Sequence, residues 1–210
     1  MPLVVNEKNE FGSLLIWKTE ESPSYFFDRL SLTKSLLLEV EEKNPKNMLE
    51  WLTSRYLLCL FLKTTKPMYY KDIYGKPQFL NPIHGFFSWS HSSHFTALIV
   101  HPDIQVGIDI QVESEKVLKV AKRIHHFQDE ALTNNAVFCH YLWCSKEAIY
   151  KAWGKRSLDF RYHIKVPETY SSGFLLNAAI DKDETEVSFN LVFNKMFGTL
   201  YVAIAKQLID

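Results

Sequence analysis

A chain of 210 residues with 47% hydrophobic and 14% aromatic side chains can bury a substantial core, as one large domain or two modest halves. Lys plus Arg (24) and Asp plus Glu (24) cancel, which excludes a general field drawing the protein to nucleic acid or an anionic membrane surface and requires any anion site to be built locally. The three cysteines, Cys59, Cys139 and Cys144, lack CxxC or Cys/His spacing and read as buried free thiols in a cytoplasmic protein.

The N-terminal stretch MPLVVNEKNEFGSLLIWK has acids among its apolar residues, so neither a signal peptide nor a membrane span is expected. Alternation over residues 11–18 predicts a strand, and helices are predicted over residues 30–42 and 45–63. Asn44 and Pro45 supply an N-cap and a first helical residue for the second helix. Within it Leu49, Leu52, Tyr56 and Leu60 form a stripe, and Arg55, off its centre, is expected to be free to reach an edge.

Residues 74–112 change to turns and short strands: GKP at 75–77, then FFSWSHS, HFTALIVHP and QVGIDIQV, a strand meander. Helices are predicted over residues 117–127 and 134–153, followed by β-rich YHIKV, VSFNLVF and GTLYVAIAKQ. This order predicts an α+β fold of two similar α+β lobes, residues 1–104 and 105–210, joined near residues 102–106.

Four stretches carry candidate chemistry. In WCSKEAIYK, Trp143, Glu147 and Lys151 recur at intervals of four along one helix face, with Lys146 and Tyr150 in the neighbouring row. Alone, Glu147 and Lys151 would be an ordinary surface pair contributing about 0.3–0.5 kcal/mol. In GIDIQ, alternation puts Asp109 and Gln111 opposite Ile108 and Ile110; a carboxylate in an apolar strand needs a partner, and a cation is one solution. The bland alternative is an exposed edge strand with Gly107 at a bend. Ser90 and His91 offer a hydroxyl and an imidazole to phosphate oxygens, and Pro77 holds Lys76 extended.

GKP, SHS, GIDI and WCSKEAIYK, in that order and with 38 positions from Asp109 to Glu147, resemble the 4′-phosphopantetheinyl transferase superfamily, and the length is similar to its long, two-lobed Sfp-type class. The likeness covers roughly residues 30–166. The family pattern often has a second acid where this chain has Gln111, whose amide oxygen can meet Mg2+ directly or through water but without charge.

The resemblance implies Mg2+-dependent transfer of the 4′-phosphopantetheine arm of coenzyme A to a serine of an apo acyl or peptidyl carrier protein by a monomer, releasing adenosine 3′,5′-bisphosphate. It implies Asp109, Glu147 and Gln111 as Mg2+ ligands, with Mn2+ the alternative ion, and Glu147 or a metal-bound water that it orients as base. Lys151 would meet the leaving phosphate, and Arg55, Lys76, Pro77, Ser90, His91 and Lys146 would contact coenzyme A. Glu130 is a weaker candidate for the metal, and Lys116, Lys119, Lys122 and Arg123 are candidates for a basic rim that meets an acidic carrier, the alternative being an ordinary solvated helix face. Two other readings use the same residues: a Mg2+-dependent phosphohydrolase, and a non-catalytic module binding coenzyme A or the carrier protein.

Overall fold

The computed structural model describes residues 2–125 and 130–209, Glu130 through its backbone only. It is a mixed α+β structure with two main sheets. The first is antiparallel, ordered β1 (Leu3–Asn9), β2 (Gly12–Lys18), β6 (Phe95–His101), β5 (Phe86–Ser92). The second is ordered β7 (Val106–Val112), β11 (Leu200–Gln207), β10 (Thr185–Met196), β9 (Leu176–Lys182), β8 (Ile164–Lys165). The chain passes from one sheet to the other between His101 and Val106.

A short helix that the sequence did not predict, α1 (Pro23–Phe27), comes first, and the helix predicted over residues 30–42 is the shorter α2 (Lys34–Glu41). Thr33 starts the second, its Oγ1 accepting from Leu36 N. The following helix, α3 (Pro45–Leu62), starts as its sequence predicts: Asn44 Oδ1 accepts from Asn47 N at 3.0 Å, a cap worth about 1 kcal/mol. It ends where Lys63 turns left-handed at φ 53°. A small hairpin, β3 (Tyr69–Lys71) and β4 (Pro77–Phe79), carries the GKP turn at its tip. Asp72 fixes that turn, its Oδ1 accepting from Tyr74 N at 2.9 Å and Lys76 N at 3.0 Å.

Period-two alternation sorts the sheets into layers. Leu15, Trp17, Leu98 and Val100 of the first sheet pack on Leu52, Leu57 and Leu58 of α3. The residues between them, Leu14, Ile16, Ala97 and Ile99, pack on Ile108, Ile110, Val202 and Ile204 of the second sheet. The far face of the second sheet, including Phe189, Phe193, Tyr201 and Ala203, packs on helix α5 (Ala136–Trp153). The order through the molecule is therefore helix, sheet, sheet, helix. Helix α4 (Lys116–Ile124) lies on the other side of α5 through Val117, Ala121 and Cys139; it stops short of the predicted residue 127, with His125 extended, and residues 126–127 lie outside the described residues. All three cysteines are buried and free, and among the described residues no helix is long and apolar enough to cross a membrane.

Two local features bring the candidate residues together. Gly107 is not at a bend: a Cβ there would lie 2.0 Å from Ala148 O and 2.5 Å from Ala152 N, so α5 rests its backbone directly on β7. Along the other edge of β7, three serines of β5 replace a backbone ladder. Ile108 N donates to Ser88 Oγ (3.2 Å), Ile110 N to Ser90 Oγ (3.3 Å) and Val112 N to Ser92 Oγ (2.9 Å). The SWSHS alternation thus satisfies the N–H groups on the edge of β7 and sutures the two sheets.

Candidate active site

Asp109 lies on the α5-facing side of β7, and its carboxylate is buried. Its Oδ1 accepts from Lys151 Nζ at 2.6 Å and from Ser90 Oγ at 2.8 Å, while Lys151 Nζ also reaches Ser90 Oγ at 3.2 Å. Among the described residues its Oδ2 receives no N–H or O–H hydrogen bond. The Cys144 thiol lies close beneath; burial first, and then the Asp109 charge, hold its pKa well above the ordinary value.

Glu147 stands one helical turn before Lys151 and is half-buried. Its pKa is raised, first by burial and further by Asp109, with Lys151 opposing. Its neighbours act on it through charge, and no hydrogen bond to its carboxylate is formed among the described residues. Gln111 lies two residues beyond Asp109 on the same face of β7, its Nε2 donating to Val112 O at 3.3 Å. Two acids facing one site, one with a buried oxygen that receives no N–H or O–H bond among the described residues and the other with its pKa raised, form a donor set that fits a hard divalent cation. Among the described residues no cluster of three or more His, Cys, Asp or Glu side chains is assembled for a metal, so protein ligation would rest on these two acids and the Gln111 amide.

Clefts flank this cluster. One, of about 200 Å³, opens between the GKP turn, Trp89 of β5 and the end of α5, and it brings together Lys76, Lys151, Lys155 and Arg156. Lys76 Nζ donates to Ala152 O at 2.8 Å and to Gln105 Oε1, and burial, opposed by Asp72, pushes its pKa down to about 8. Pro77 lines the same cleft as the first residue of β4. The other cleft, of about 650 Å³, is bordered by Lys46, Glu50, His91 and Gln111. The His91 Nδ1 is 3.1 Å from Glu50 Oε2. Nearly half of the His91 side chain faces solvent, yet crowding by protein keeps its pKa below the ordinary imidazole value, with Glu50 opposing and Lys151 adding to the shift.

Three expected phosphate contacts are placed otherwise. Ser90 is buried, and its hydroxyl is engaged by Asp109, Lys151 and Ile110 N; it orients Asp109. Arg55 does not reach out to an edge. It is buried among Trp51, Tyr69 and Trp89, at 4.2, 5.1 and 4.6 Å from the ring centres, and donates to Tyr69 Oη at 2.8 and 3.0 Å. Burial, opposed by Tyr69, lowers its pKa. Lys146 is 1% exposed and its ammonium donates to three backbone carbonyls. Burial first, then Lys165, pushes its pKa down to about 7. The side chain of Glu130 lies outside the described residues.

Sequence reasoning missed the tasks of Ser88 and Ser92 at the seam, Gly107 under α5, and Asp72 and Gln105 around Lys76. The period-two serines in SWSHS and the lone glycine opening an apolar strand were the available signals. In comparisons with protein-family models and with curated proteins, the sequence matches none.

Proposed function

We propose that this chain is a 4′-phosphopantetheinyl transferase of the long, two-lobed class, moving the phosphopantetheine arm of coenzyme A to a carrier-protein serine. The observation that carries the reading is the incomplete acid cluster: Asp109, half satisfied by Lys151 and Ser90, beside a destabilised Glu147 and a cleft holding four cations. On this reading, residues 1–104 and 105–210, each a sheet backed by a long helix, are similar halves related by a pseudo-twofold axis, and the protein acts as a monomer in the cytoplasm.

The chemistry suits the side chains. The serine oxygen bonds to the β-phosphorus of coenzyme A as the bond from that phosphorus to the bridging oxygen breaks, leaving adenosine 3′,5′-bisphosphate. Glu147 takes the serine proton, directly or through an ordered water; its raised pKa makes it a better base than an exposed carboxylate. Lys151, held by Asp109 at 2.6 Å, faces the cleft where negative charge grows on the leaving phosphate. Asp109, Glu147 and Gln111 would hold Mg2+ or Mn2+, which supplies neutralisation of the pyrophosphate oxygens when bound. Lys76, Lys155 and Arg156 bind the anionic cofactor by charge, so its affinity falls with added salt. Lys116, Lys119, Lys122 and Arg123 are all exposed on α4 and meet an acidic carrier.

The test is the intact mass of an apo carrier protein after incubation with this chain, coenzyme A and Mg2+. The expected result is a gain of one phosphopantetheine arm, abolished by EDTA. Release of adenosine 3′,5′-bisphosphate without a carrier would instead identify a phosphohydrolase. Coenzyme A binding without turnover, across carriers of several pathways, would identify a binding module.

A further inference from the structure

We infer that Lys146 is an internal clamp that positions the helix bearing Glu147, rather than a group that touches a phosphate. An ammonium has three N–H donors, and here each has a backbone carbonyl: Ile124 O at 2.9 Å, Phe160 O at 2.6 Å and Ile164 O at 2.8 Å. These carbonyls come from three segments, the end of α4, the turn before β8, and β8 itself. All three meet one side chain of α5 immediately before Glu147 in the sequence.

Ile124 O is one of the carbonyls that a helix end leaves without an internal partner. Arg161 Nη2 takes another, Lys122 O, at 2.6 Å, so α4 is capped by cations from α5 and from the turn. The turn is held in shape by Asp159, whose Oδ1 accepts from Arg161 N and Tyr162 N. Its Phe160 ring packs against Trp143 and Tyr150 of α5, at 6.3 and 5.2 Å between ring centres. Lys146 thereby ties the exposed basic helix, the Phe160 turn and the second sheet to the stretch of α5 containing Trp143, Glu147 and Tyr150.

The experiment uses the full chain and Lys146→Met, which keeps the length of the stem and removes the donors. Three carbonyls lose their partner, so Tm falls by roughly 5–15 °C. Amide hydrogen exchange quickens in residues 116–124 and 158–166 and is unchanged in β2 and β6. The kinetic arm rests on the transferase reading: kcat falls by roughly ten- to a hundredfold, whereas the Kd for coenzyme A, measured by calorimetry, stays within about twofold. A Kd weakened about tenfold or more with unchanged exchange would make Lys146 a phosphate contact and overturn the clamp. Should the wild-type chain transfer nothing, the exchange measurement still decides, because unchanged protection in both segments overturns the clamp without reference to activity. Should Lys146→Met not fold, Lys146→Gln, which retains two donors, carries the same comparison, with a smaller increase in exchange in the same segments.

Discussion

Lys146 and Lys151 are one and a half turns apart on α5 and have opposite surroundings. Lys146 is sealed in the protein with every donor matched to a carbonyl. Lys151 is more than a quarter exposed, shares one oxygen of Asp109 with Ser90, and lines a cationic cleft. Around Lys146 the polar accounting is closed; around Lys151 it is open, with Asp109 Oδ2 receiving no N–H or O–H bond among the described residues and Glu147 pushed toward its neutral form. A buried polar group with all its partners stabilises a fold, whereas a cluster left short of partners costs stability and is poised for a ligand that completes it. Substitutions should therefore separate stability from activity according to which side of this division they fall on.

The largest loss of stability expected around the open cluster comes from its support rather than its acids. Gly107→Ala places a methyl against Ala148 O and Ala152 N, lifting α5 from β7. The cost is about 2–3 kcal/mol, a fall in Tm of roughly 4–12 °C by calorimetry, with at least about a tenfold loss of transfer as Asp109 and Glu147 separate. A variant with unchanged Tm would mean that the helix is not held by this contact.

Asp109→Asn is milder for the fold and worse for the chemistry. Lys151 loses a charged partner but retains access to solvent, so the expected cost is about 1–2 kcal/mol. Transfer, followed by intact mass, falls about a thousandfold. A stability loss as large as that of Gly107→Ala, with transfer retained, would place Asp109 on the closed side of the comparison.

Much of this division can be traced in the sequence, and its limits are physical. Alternation placed Asp109 and Gln111 opposite Ile108 and Ile110, as the layers require, and Asn44 and Pro45 marked the start of α3 because caps act locally. The spacing of Glu147 and Lys151 put them on one helix face for the same reason. What stayed hidden depends on distant partners. The carbonyls that engage Lys146 lie 14 to 22 positions away and have no side-chain signature. The cage around Arg55 takes Trp51 from its own helix but Tyr69 and Trp89 from two strands. Alternating serines in SWSHS are as compatible with binding an anion as with suturing β5 to β7, and only the course of the second strand distinguishes the two. Strand β1 has little sequence signature because its exposed half, Asn6 to Asn9, breaks the apolar pattern.

The smallest effect on stability is also the most informative. Because Glu147 has a raised pKa in the folded protein, its ionisation above the ordinary carboxylate range weakens the fold, and that penalty is absent at a pH low enough to protonate it in both states. Glu147→Gln removes the penalty and, on the transferase reading, the base with it. Measuring Tm and carrier modification on the same preparations of wild type and Glu147→Gln, from acid to neutral pH, tests the open cluster most directly. The account predicts transfer reduced by about 10²–10⁴-fold, with Tm at neutral pH equal to or above that of the wild type and the difference vanishing in acid. A variant that melts lower at neutral pH and still modifies the carrier at the wild-type rate would show that Glu147 belongs to the scaffold.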